Sequence, residues 1–185
     1  HLLVQEMKDR TGLVSFNGRN FDLPFLQTRF TCCGLGEVPL AGTPHLDLLF
    51  PARRLWRARL SSCALSSLET HILGLAREAD VPGWLIPQLY FDYIRYGEVE
   101  PLRQVFVHNL LDIVSLVSLA ARINDLLDEN GDARIEHATD AYSLGMIYET
   151  CGRPERARRA YEAALQGHLL PSVRNDALTR LDDQR

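Results

Sequence analysis

The sequence predicts an α/β domain that runs into a hairpin of α-helices. Three observations predict it. Short apolar runs bounded by Gly and Asn alternate with helical stretches in the first half, a long and nearly all-apolar helical pattern follows, and two amphipathic helices joined through Gly152 and Pro154 come last. With 185 residues, 46% of them apolar, the chain can bury one good core and carry a small appendage. The polar break Glu129-Asn130-Gly131-Asp132 divides the expectation into a domain over 1–129 and helices over 133–185.

Taken in order, Leu2, Leu3, Val4 and Met7 read as the end of a helix, and the start at His1 without a Met predicts a piece of a longer protein. Leu13 to Phe16, between Gly12 and Asn17, reads as a buried strand. A helix opens at Phe21-Asp22-Leu23-Pro24 and runs to about Cys33, with Pro24 tolerated in its first turn and Gly34 as its stop. His45 to Leu49 reads as a second strand, and helices follow over 51–60 and 65–73, the latter closed by Gly74. The stretch 81–87 is a loop, and a further helix runs from it to Tyr96, capped by Gly97. From Pro101 to Asp128 the pattern is helical and apolar nearly all round, which predicts a central, buried helix.

Beyond the break, helices are expected over 138–150 and 154–166. Leu144, Gly145 and Tyr148 on the first, with Ala157, Tyr161 and Ala164 on the second, sit at tetratricopeptide spacings, where small residues allow close approach and aromatics fill the groove. Leu178 lies 34 positions after Leu144, one repeat length, so 173–181 reads as the first helix of a following unit.

Composition excludes several classes. A net charge of -4 argues against a protein that coats nucleic acid non-specifically, which needs a broad basic excess. No membrane-spanning run is expected, and charged residues stand where a signal peptide would be apolar, so the expected location is cytoplasmic. Cys32, Cys33, Cys63 and Cys151 show no CxxC pairing, as suits a reducing compartment.

Two carboxylates fall in apolar surroundings, where an acid is costly unless paired, protonated or bound to metal. Asp22 follows a strand and loop in NGRNFDLP, where it reaches over a sheet end or caps the helix it begins. Asp112 lies four residues after His108 on one helix face, as a buried His–Asp pair or a functional one.

The string NGRNFDLPFLQTR resembles the second motif of DEDD-type exonucleases, and His108-Asn109-Leu110-Leu111-Asp112 resembles the third. With HLDLLFPARRLWRARL, SCALSSLE and DVPGWLIPQLY between them, residues 13–123 are similar to the YprB-like branch of the ribonuclease-H-like superfamily, which carries tetratricopeptide repeats downstream. The resemblance implies a mixed sheet flanked by helices and a 3′–5′ exonuclease that holds two Mg²⁺ or Mn²⁺ ions on four carboxylates. It would make Asp22 and Asp112 metal ligands and His108 the general base or water-orienting residue. Asn17 would contact the terminal nucleotide, against the alternative of a turn-forming Asn.

Two departures stand out. The family's opening Asp-x-Glu occurs nowhere in the chain, so these residues alone are expected to be inactive. His108 also stands at the spacing where the family places Tyr.

Arg53 and Arg54, with Arg57 and Arg59, are candidates to grip a DNA or RNA phosphate backbone, against the alternative of a solvated helix face. Trp56 and Trp84 are expected to pack, against the alternative of stacking on bases, and Asp47 to hydrogen-bond within the fold, against that of a further acid near the site. The competing classes are a silent nucleic-acid-binding module and a scaffold that holds a protein partner on its helical repeat. An Asp-x-Glu in residues preceding the chain discriminates the first of these.

Overall fold

The computed structural model describes residues 2–7, 10–39, 42–77, 80–128 and 135–183. They form two compact units, 1–63 with 122–185, and 64–121. This division falls at other positions than 1–129 and 133–185, and Glu129 to Asp132, the expected break, lie outside the described residues.

In the first unit, α1 (Leu2–Met7) precedes β1 (Leu13–Ser15), which pairs in parallel with β2 (His45–Asp47) in the register Leu13 to His45 and Ser15 to Asp47. Parallel neighbours need a crossover, and α2 (Asp22–Cys32) supplies it. Among the described residues the sheet has these two strands alone, so the expected mixed sheet is represented by one parallel pair in a mostly helical chain.

The helix α3 (Leu49–Trp56) starts where Asp47, itself buried, accepts the Leu49 N–H at 3.2 Å, and it buries Leu49, Ala52, Leu55 and Trp56 on one stripe. It packs on α7 (Ala138–Thr150). Arg59, just past α3, grips the Asp140 carboxylate of α7 with Nε at 2.9 Å and Nη2 at 2.8 Å, a bidentate pair that fixes both position and angle.

The helices α7 and α8 (Pro154–Gln166) lie within their expected bounds. A β-carbon on Gly145 would stand 2.4 Å from the Tyr161 ring, so only glycine lets the helices come this close. Ala157, Ala160, Tyr161 and Ala164 are fully buried. The Tyr161 hydroxyl donates to Glu149 at 2.7 Å, and Arg180 of α9 (Pro171–Asp183) reaches the same carboxylate at 2.7 Å. Burial and that hydrogen bond push the Tyr161 phenol well above its ordinary range.

In the second unit, α4 (Leu65–Leu68) continues into a π-helical turn at Glu69–Leu73, ended by left-handed Gly74. A 3₁₀ turn at Gly83–Leu85 leads into α5 (Ile86–Tyr96). The long helix α6 (Glu100–Leu127) follows, its residues from Arg122 onward belonging to the first unit.

Three expectations are corrected here. The helix α6 is not buried all round: Ser115, Leu119, Ile123 and Leu126 form one buried stripe, while Phe106, Leu110 and Val117 are 70%, 61% and 67% exposed. An all-apolar pattern states a demand for partners, and the described residues meet it along one side only. By length and composition α6 is also long and apolar enough to cross a membrane, contrary to the expectation that no such run exists. Trp56 packs as expected at 1% exposure, but Trp84 is 79% exposed on its short turn.

Candidate functional site

The acids of the second unit converge on one guanidinium. Glu69 sits on the π-helical turn and is almost wholly buried, a position in which a charged carboxylate requires a partner. Arg77 provides it: Nη2 bonds Glu69 Oε1 and, at 2.6 Å, Asp112 Oδ1, while Nη1 bonds Asp80 Oδ2 at 2.9 Å. His108 and Asp112 lie one turn apart on α6, and the helix repeat brings their side chains to the same face. His108 Nδ1 donates to Asp80 Oδ1 at 2.8 Å, and Nε2 stands 3.5 Å from Asp112 Oδ2.

Partial burial works against charge at both Arg77 and Asp80. The pairing prevails: three carboxylates hold the guanidinium above its ordinary range, and the His108 and Arg77 bonds hold the Asp80 carboxyl below its own. Three carboxylates face one guanidinium, so the cluster keeps an acidic excess.

In the first unit, Asp22 is the first residue of α2 and is exposed; it forms no side-chain cap. Its carboxylate lies beside the 17–20 turn, where a β-carbon on Gly18 would stand 3.3 Å from Oδ2 and 2.5 Å from Ser15 Oγ. Asn17 adopts a left-handed φ of 61°, a conformation Asn tolerates, and its N–H donates to Asp47 Oδ1 at 2.7 Å. Arg19 N–H donates to the other Asp47 oxygen at 3.0 Å. Asp47 therefore organises the turn through backbone bonds, as expected. Arg53 and Arg54 lie on α3.

Of the candidate residues, the structure joins His108 to Asp112 in one unit and Asn17 to the turn that precedes Asp22 in the other. Glu69, Arg77 and Asp80 were not foreseen. The available signal was an acid among apolar helical positions in LSSLETHIL, followed eight residues later by an arginine.

The described residues do not fit a divalent ion. Among the described residues no three His, Cys, Asp or Glu side chains are grouped so as to hold one. Asp112, the expected ligand, is already paired with a guanidinium.

A family model described as the RNase_H superfamily matches residues 1–124. Over 160 residues the chain is 34% identical to the uncharacterized protein YprB of Bacillus subtilis (strain 168), an alignment covering 85% of this chain and 38% of that protein. No solved structure matches.

Proposed function

The chain belongs to the RNase_H superfamily, and from that premise we propose that it is part of a 3′–5′ exonuclease that hydrolyses phosphodiester bonds of DNA or RNA in the cytoplasm. The observation that carries the proposal is the His108–Asp112 pair on α6, tied to Glu69, Arg77 and Asp80 within the matched residues. In this reading His108, oriented by its bond to Asp80, is the general base or positions the attacking water, and Arg77 sets the orientation of Asp112. Asp22 and Asn17 of the first unit are proposed as substrate contacts on the turn before α2.

Dependence on Mg²⁺ or Mn²⁺ belongs to the activity proposed for the whole protein, because the groups described here do not fit an ion. An acidic excess around Asp112 repels phosphate, so a phosphodiester brought to it needs added positive charge. The chain alone is therefore expected to be inactive. Helices α7 to α9 are read as tetratricopeptide-type repeats on the Gly145–Tyr161 contact and the 34-residue interval from Leu144 to Leu178.

One observation favours a second reading. A guanidinium already neutralising Asp112 suits a silent nucleic-acid-binding module that kept the fold. Cleavage separates the two. Both the 185-residue chain and the full reading frame it comes from are incubated with 5′-labelled single strands of DNA and RNA and Mn²⁺. The exonuclease reading expects stepwise shortening from the 3′ end by the full frame only, with His108→Ala slower by about 10²–10⁴-fold. Strands bound but never shortened would establish the silent module, and full activity in Asp112→Asn would remove the site assigned here.

A further inference from the structure

The groove between α3 and α7, within the first unit, is unrelated in its residues to the His108 cluster. It encloses about 600 Å³, and its walls include Arg53, Arg54 and Arg57 on one side and Tyr142, Met146 and Ile147 on the other. That volume falls within the range of small-ligand clefts, roughly 300–1,000 Å³.

The three arginines are exposed, and among the described residues none makes an ion pair or a side-chain hydrogen bond. Their neighbours differ. Arg59 holds Asp140, Arg156 holds the carbonyl oxygens of Leu127 and Asp128, and Arg180 holds Glu149 and Asp176. Nor does either helix offer the three a spare acid: α3 contains none, and the α7 carboxylates Asp140 and Glu149 are bound by Arg59, and by Tyr161 with Arg180. Three clustered guanidiniums in a chain of net charge -4 repel one another and are held together with no compensating acid paired to them among the described residues.

We propose that this groove binds the phosphate backbone of single-stranded nucleic acid, with Arg53, Arg54 and Arg57 as the phosphate contacts and α7 as the opposite wall. Guanidinium forks match phosphate oxygens, which selects an anion of that geometry. The far wall selects the strand type. Met146, Ile147 and the body of Tyr142 are apolar, and a single strand exposes base faces that settle on such a surface, while a duplex keeps its bases stacked inside. The first helix of the hairpin thus forms part of the nucleic-acid interface instead of a protein-docking face. The inference deepens the nuclease reading by giving its substrate a second foothold, and it rests on that reading for the choice of nucleic acid as the anion.

The test is binding without chemistry. Anisotropy of a labelled 12-nucleotide single strand is followed against the 185-residue chain in EDTA, from 50 to 300 mM salt, so that hydrolysis plays no part. Each phosphate contact to a single strand contributes about 0.7 to the slope of log K against log salt. The triple variant R53Q/R54Q/R57Q should lower that slope by about 2 and weaken binding by roughly 100-fold at 50 mM. Ile147→Asp, which puts a carboxylate on the α7 wall, should weaken binding about tenfold or more. Circular dichroism checks that the substitutions at the exposed arginines and at half-buried Ile147 leave the fold intact.

An unchanged slope in the triple variant overturns the proposal, as does a parent chain that binds no strand. Equal affinity for polyglutamate would make the groove an acidic-protein site, and stronger binding of duplex would make it a duplex site; either also overturns it. Because no cleavage is measured, strand binding with the expected slope, in a full-length protein that never cleaves, would sustain the groove while the exonuclease reading fails.

Discussion

The α7–α8 hairpin and helix α6 are both rich in apolar residues, yet the first hides them and the second displays them. On the hairpin, small residues at helical intervals let the two backbones approach until Tyr161 fills the gap over Gly145. On α6, large residues occupy every face, and one stripe is covered. The second unit contains its order elsewhere, in the ion pairs around Arg77. Close packing is therefore encoded by alternation of large and small, while uniform apolarity encodes only an appetite for partners.

Tyr161→Ala should break the hairpin side of this contrast. It empties a fully buried site, and comparable aromatic truncations cost about 3–5 kcal/mol, to be read from chemical denaturation. A loss below about 1 kcal/mol would mean that the hairpin is not held by this packing. Arg77→Met strikes the polar side by leaving buried Glu69 without its cation, at a cost of about 3 kcal/mol. Native-state hydrogen exchange should place the loss within 64–121, and adding Glu69→Gln should recover much of it.

A smaller effect separates the hairpin's packing from its charges. The bonds from Tyr142 and Arg180 hold the Asp176 carboxyl below its ordinary range. A lowered folded pKa stabilises above the unfolded value, near about 3.9, and that contribution disappears as pH falls through the still lower folded value. The melting temperature should thus drop below about pH 4, less steeply in Asp176→Asn. Smallest of all, Phe106→Ser on the open side of α6 should change stability by no more than about 0.5 kcal/mol, because the ring is already 70% exposed. A loss of 2 kcal/mol or more would show that this face is covered in solution.

How much of this was legible in the residues follows the same contrast. Helices bounded by Gly and Pro were readable almost to the residue: 138–150 and 154–166, joined through Gly152 and Pro154, match α7 and α8, and Gly74 and Gly97 end their helices in left-handed turns. Periodicity gave the type of α6 and misjudged its burial, since a pattern records what a helix needs and not what the chain supplies. The His108–Asp112 pair was legible because both members lie on one helix at a fixed spacing. Glu69 and Arg77 were not, because their partnership depends on a π-helical turn and a loop whose path no local pattern specifies. Asp47 was legible as a fold-forming acid, but its grip on Asn17 and Arg19 belongs to the turn's three-dimensional course.

Arg156 carries a practical consequence for anyone dividing this molecule. From α8 it bonds the carbonyl oxygens of Leu127 and Asp128 at the close of α6, lies 4.2 Å over the Tyr148 ring, and accompanies the bond from the Tyr148 hydroxyl to Leu126 O. A shortened product ending near residue 129 would strip those oxygens of their donors and leave the final turn of α6 to unwind. Such a truncation should be ragged at its new end and readily trimmed by proteases, so preparations meant for assay or crystallisation are better extended through residue 166.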